Sequence, residues 1–338
     1  VIAFMESIDV KEQLMAPETL EQQFYQTLEE WKRLPFSFVR SPVEVAENMP
    51  SFVVGEVVFM LLSLVCFIHA WKKGRVYLLV WWASIIVGCA NDVFFMCLPG
   101  VDNFHHAQGT IMLTPRLPLY ILCVYNTFMY CSVTSCFSLQ LGAIGNAAVV
   151  GLLAELFYSV YDFVGIRFLW WTWHDTDAAI SERIFDVPIG SSMWVITFCF
   201  SFSFILHIMI SRCRTISIFR FIFTIIVLSL FCTPLMMMQM GLYQLSGVMG
   251  KPDMTSIMLL VLLYLVIISL KMISTGKWMY KRFNASKIDS ILAITISIYF
   301  ASMSIISVIF TPQNHISTGI HQIIGPCDIM EDNLSGLP

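Results

Sequence analysis

Eight runs of mainly apolar residues dominate the chain, at about 51–71, 76–97, 117–139, 142–165, 189–211, 216–240, 254–273 and 289–310. A helix of about 20 apolar residues covers roughly 30 Å of hydrocarbon, and in lipid a helix satisfies its own backbone hydrogen bonds. The pattern therefore predicts eight transmembrane helices. The polar breaks between the runs order the two sides. Lys72, Lys73 and Arg75 follow the first run, Arg212 and Arg214 the fifth, and Lys277, Lys281, Arg282 and Lys287 the seventh. These loops share one parity, and the positive-inside rule makes them cytoplasmic. Residues 1–50, the 98–116, 166–188 and 241–253 loops and the 311–338 tail then share the opposite, lumenal face, with both termini.

Ahead of the first run, Leu20, Phe24, Leu28, Trp31 and Leu34 recur at spacings of three and four, with Thr19 and Gln22 as a capping box and Pro35 as the stop. This predicts an amphipathic lumenal helix. Residues 35–50, with Pro35, Pro42 and Pro50, read as an extended connector. No internal repeat is visible. The expected fold class is an all-α polytopic transmembrane bundle, divided into a 1–50 lumenal helix and connector, a 51–310 eight-span bundle and a 311–338 lumenal tail.

Composition agrees: 57% of residues are hydrophobic and only 12% charged, with a mean hydropathy of +0.76. Net charge is −4 without a basic block, which gives nucleic acid no footprint. Nine of the ten cysteines lie in or beside apolar runs and read as packing residues, leaving Cys327 in a polar stretch. Val1 in place of Met points to a leader missing before it. Two sequons fall on opposite sides: Asn333 (Asn333-Leu334-Ser335) is a lumenal glycan acceptor candidate, whereas Asn284 (Asn284-Ala285-Ser286) is cytoplasmic and expected bare.

Candidate chemistry sits where polar residues interrupt apolar runs. In the fourth run Ala143, Ala147 and Gly151 recur every four residues, a small-residue face for another helix. Glu155 continues that face, and Asp162 follows two turns later with Tyr158 between them. An intramembrane carboxylate costs a few kcal/mol at a helix centre on insertion scales, so it is expected to have a partner, Arg116, Arg167 or a tyrosine, or to face a cavity. Asn91 and Asp92, Gln239, Glu56, Asn126 and His207 complete the polar inventory, the last three read chiefly as interhelical hydrogen-bonding groups.

After the fourth run, Trp170, Trp171 and Trp173 suit an interfacial aromatic belt. That does not account for His174, Asp175, Asp177, Glu182 and Arg183 immediately after them, on the face expected to hold Asp92, His105, His106, Arg116 and Asp162. Such a set binds metal or moves protons, or forms a salt-bridged lid. No spacing favours metal: His315 and His321 lie six apart, and no HxxxH or HExxH occurs. GxSxG, P-loop and GxGxxG motifs are equally absent, which removes the commonest hydrolase and nucleotide readings. No metal and no cofactor is expected.

The stretch Trp171-Thr172-Trp173-His174 with Asp177, Arg183 and Val187-Pro188, together with Arg116-Leu117-Pro118-Leu119-Tyr120 and Ser317-Thr318-Gly319-Ile320-His321-Gln322, resembles an uncharacterised multi-span membrane protein family of animals, notably nematodes. The tryptophan-rich loop entering Val-Pro is also faintly similar to microbial membrane carotenoid hydratases. The first resemblance implies an endomembrane protein whose lumenal motif residues matter, and neither transfers a catalytic residue.

The expectation for function is a non-enzymatic membrane subunit of the endoplasmic reticulum that binds phospholipid and works with other protein subunits in a lipid-handling assembly. Its lipid-binding candidates are Arg116, Arg167 and Arg183 for phosphate, Trp171, Trp173 and His174 for the rim, and Asp92, Glu155 and Asp162 inside. The alternatives are a lipid-modifying enzyme using Asp162, His174, Asp175 and Asp177, and a pure scaffold or transporter.

Overall fold

A computed structural model describes residues 37–97, 104–173, 180–211, 216–245, 253–275, 287–318 and 323–324. The amphipathic segment at 20–34, His174, Asp175, Asp177, His321, Cys327 and both sequon asparagines, Asn284 and Asn333, lie outside these residues.

The eight apolar runs are eight long helices. After a short helix α1 (Pro42–Asn48) come α2 (Pro50–Lys73), α3 (Arg75–Met96), α4 (Leu119–Cys136), α5 (Gly142–Arg167), α6 (Ile189–Ile210), α7 (Ile218–Leu245), α8 (Met254–Ser274) and α9 (Lys287–Ile309). Each of α2 to α9 is long and apolar enough to cross a membrane. The all-α bundle expected from the apolar periodicity is the fold observed. The connector differs from expectation: residues 42–48 are helical, not extended, because Pro42 and Pro50 each occupy a first-turn position of a helix. A proline there lacks only an N–H that would have no intrahelical partner, and its fixed φ already suits the helix.

Helix α4 forms the centre, buried along most of its length and packed against α2, α3 and α5. Helices α8 and α9 are peripheral: α8 packs on α5 and α6, α9 on α2 and α5. The expected small-residue face of α5 is real. Ala147 and Ala148 are fully buried, and a Cβ added at Gly151 would stand 2.6 Å from the Ile196 carbonyl oxygen of α6. This close approach gives α5 and α6 the most extensive helix pair in the bundle.

Short strands, which apolar periodicity does not reveal, cover one end. Strand β1 (Phe38–Val39) pairs with β3 (Ile111–Thr114), which pairs with β4 (Leu117–Pro118); β2 (Phe104–His106) pairs with β5 (Trp171–Trp173); β6 (Arg183–Ile184) with β7 (Val187–Pro188); and β8 (Ser317–Thr318) with β9 (Ile323–Ile324). All pairs are antiparallel. They gather residues before α2, between α3 and α4, between α5 and α6, and after α9 at the same end. At the other end, Arg75 donates to the Ile216 carbonyl (3.1 Å). Of the segments expected to share a face, the described residues before α2, in the 98–116 and 166–188 loops and after α9 do share one.

The structure also shows an internal repeat that the sequence reading missed. The order helix, strand, two-stranded hairpin, helix occurs as α3, β2, β3–β4, α4 and again as α5, β5, β6–β7, α6. Thr114 pairs with Leu117 in the first hairpin and Ile184 with Val187 in the second, and each hairpin enters its helix through a proline, Pro118 or Pro188. Strands β2 and β5, one from each unit, pair with each other. So few side chains carry the repeat, Leu117-Pro118 and Val187-Pro188 above all, that sequence self-similarity stays faint.

Candidate functional site between the two repeats

Asp92 and Asp162 stand at matching places in the two units, each in the last turns of the unit's first helix before its strand. Each is served by a hydroxyl from the second helix of its own unit. The Tyr125 hydroxyl of α4 donates to Asp92 Oδ1, and the Ser191 hydroxyl of α6 donates to Asp162 Oδ2 at 2.8 Å. Both aspartates are almost wholly buried, and Asp92 Oδ2 and Asp162 Oδ1 have no hydrogen-bond partner. Glu155 completes the set: Ser192 is its hydrogen-bonding partner, and its Oε2 is buried without one. Ser191 and Ser192 lie in the first turn of α6, where the helix dipole also favours nearby negative charge.

These carboxylates surround tyrosines rather than arginines. The Tyr158 ring lies within electrostatic reach of Asp92, Glu155 and Asp162, and the Tyr120 and Tyr161 hydroxyls are 3.1 Å apart. The partner expected for Asp162 from Arg116 or Arg167 is thus a serine. Among the described residues, no three His, Cys, Asp or Glu side chains gather as a metal shell.

The cap above this interior accounts for the tryptophans. Trp170, Trp171 and Trp173 are buried, so they form the cap's core and not an interfacial belt. Trp171 stacks on Tyr161 with centroids 4.6 Å apart, a fit made possible by Gly165, where any Cβ would overlap the Trp171 ring. Trp170 Nε1 donates to Ser51 Oγ at 3.0 Å, and Ser51 lies 2.6 Å from His315 Nε2. His315 Nδ1 is 3.0 Å from the Thr311 carbonyl, which only accepts, so Nδ1 carries the proton and Nε2 accepts from Ser51. Burial holds the His315 imidazole below its ordinary range.

The arginines scatter. Arg116 is buried in the cap and its Nη2 donates to the Phe104 carbonyl at 2.9 Å, so it is a cap strut and not a surface phosphate ligand. Its charge, after burial itself, pushes the His106 pKa down to about 3. Arg183 Nε donates to the Ile180 carbonyl at 3.3 Å. Arg167 is exposed at the end of α5. Two lesser candidates prove structural. The Glu56 carboxylate accepts from the Thr110 amide at 3.0 Å and 3.2 Å, strapping the first hairpin to α2. Asn126 joins three helices, accepting from Ser63 and donating to Ser84 Oγ and the Trp81 carbonyl.

Eight apolar helices around a buried acidic and aromatic interior, closed at one end by paired hairpins, define an integral membrane protein of the helical-bundle class. Within that class the chain belongs to the family described as "Domain of unknown function (DUF7802)", whose model matches residues 36–337. No curated protein and no solved structure matches it.

Proposed function

We propose that the chain is a non-enzymatic membrane subunit that binds phospholipid in the lumenal leaflet, in the endoplasmic reticulum, and anchors or feeds a larger lipid-handling assembly of protein subunits. The observation that carries this reading is a stripe on the outer side of α5. Leu156, Val160, Phe163 and Arg167 follow one another at spacings of four, three and four, which places them on one face of the helix. Leu156 is 61% exposed and Phe163 38% exposed. Among the described residues, α8 and α9 both pack on α5 and do not pack extensively on each other, so they flank the stripe as walls.

An apolar floor of this length suits an acyl chain, and the exposed guanidinium at its end suits a phosphate, since Arg presents a planar fork of donors. Phe185, 81% exposed at the tip of the second hairpin, meets Phe163 edge-on at 5.8 Å and extends the floor toward the cap. Of the expected phosphate residues, Arg167 is the one with a free approach from this stripe.

The test is mass spectrometry of phospholipid retained by the chain purified in mild detergent. Leu156→Trp and Arg167→Glu each should lower retained phospholipid severalfold without lowering the melting temperature. Unchanged retention in both would overturn the reading. The enzyme alternative combines Asp162 with His174, Asp175 and Asp177, of which the last three lie outside the described residues.

A further inference from the structure

We infer that the interior between the two repeats is a binding site for an organic ammonium group, held by Asp92 and Asp162 and enclosed by aromatic rings. This site lies on the inner side of α5 and is separate from the lipid stripe on its outer side, so it does not depend on that reading.

Three observations point to a cation. The first is the pair of aspartates at matching positions of the two units, each with one oxygen held by a hydroxyl and the other buried and free of any partner. A buried carboxylate oxygen in that state calls for a proton, a water or a donor from outside the chain, and a cationic donor offsets its charge as well. The second is the company it keeps. Among the described residues the side chains that donate to the two aspartates are Tyr125 and Ser191, and neither aspartate forms an ion pair. The described residues thus leave both carboxyls without a counter-charge.

The third is the aromatic wall. Tyr125, Phe128, Tyr158 and Trp194 close a circuit of ring contacts, with successive centroids 5.8, 4.9, 6.1 and 6.1 Å apart. Tyr125 is the partner of Asp92, and Tyr158 stands one turn before Asp162 on the same face of α5, so the circuit runs between the helices that carry the pair. Rings around carboxylates attract an ammonium through their π-faces while the carboxylates take its charge. A metal ion would instead require converging oxygen or nitrogen ligands, and the described residues form no such shell. Glu155, Tyr158, Ser191 and Trp194 are only half-buried in an otherwise buried region, which leaves the site an approach along α5 and α6.

The same chemistry occurs in a free amine and in an amine-bearing lipid headgroup. The full chain in nanodiscs of phosphatidylglycerol, which lacks an ammonium, is titrated calorimetrically with ethanolammonium chloride and with ethylene glycol, its neutral counterpart. In parallel, native mass spectrometry compares retention of phosphatidylethanolamine with its N-acetyl derivative. Saturable binding of ethanolammonium and none of ethylene glycol supports the site with a free amine as its ligand. Selective retention of phosphatidylethanolamine over the N-acetyl form supports it with a headgroup as its ligand.

In either case Asp92→Asn and Asp162→Asn, which keep the accepted hydroxyl bonds, should each weaken the preference at least tenfold with the melting temperature held or raised. Indifference to the ammonium in both wild-type comparisons overturns the inference, and so does a preference that survives both substitutions in folded protein. Neither failure bears on Leu156 or Arg167, whose test is total phospholipid.

Discussion

His106 is buried in the cap, against Phe104, Trp171 and the charge of Arg116. Its ordinary pKa is near 6.5 and its folded value is about 3, so the folded cap holds a neutral ring. The unfolded chain takes up a proton below about pH 6.5; the folded chain resists until far lower. Stability is therefore complete above the unfolded value and is lost as pH falls through the window between the two. The burial of His315 acts in the same direction. Relative to His106→Gln, the wild-type chain should lose melting temperature as pH falls from 7 to 4. The same pH dependence in the wild-type chain and in His106→Gln would contradict the neutral cap. The sequence shows His106 only as one of two adjacent histidines; that it is kept uncharged follows from Arg116 folding back beneath it, a contact between loop residues that no local pattern announces.

At the scale of elements, α5 does most to organise the interior. One of its faces meets α6 through Gly151 and goes on to carry Glu155, Tyr158 and Asp162, and another carries the stripe from Leu156 to Arg167. Replacing a helical glycine with alanine normally stabilises by about 0.5–1 kcal/mol. At Gly151 the added Cβ would crowd the Ile196 carbonyl, which is backbone and gives way only if α5 and α6 separate. Overpacking of this kind costs about 1–3 kcal/mol and outweighs the gain. Gly151→Ala should lower the unfolding midpoint in detergent, and a raised midpoint would show that the helices are free to move apart. The face was legible in the sequence because small residues every four positions are a local signal. The strands were not, since runs of two to four residues have no period to detect. Pro42 and Pro50 were misread for a related reason: a proline that interrupts a helix and one that starts it look alike until the neighbouring turn is placed.

For the whole molecule, eight spans require residues before α2 and after α9 to lie on one side, and the contact between Ile316 and Asn48 (3.0 Å) puts them there. The hydropathy pattern carried this result, because crossing a bilayer is a demand that each segment must meet alone. The repeat was the opposite case, fixed by how two hairpins pair and by few shared side chains. If the basic loops are cytoplasmic, a sequon engineered into the second hairpin at residues 184–186 should acquire glycan in microsomes, while Asn284 in its native sequon stays bare. Glycan on Asn284 would invert the orientation. The candidate interior was only half visible: Asp92, Glu155 and Asp162 stood out as costly residues, but the tyrosine and serine hydroxyls that receive them belong to other helices.

The bonds among Trp170, Ser51 and His315 bear on how the chain is made. Ser51 emerges from the ribosome early and Trp170 midway, yet His315 follows the last span, so the trio closes only after α9 has been synthesised and inserted. Until then the Ser51 hydroxyl accepts from Trp170 but has no acceptor for its own proton inside the cap, at a cost of about 1–3 kcal/mol. A nascent chain stalled or cut before residue 315 therefore carries its own mark of incompleteness, in a place where membrane quality control can find it. The final residues of the bundle act as a seal on the first.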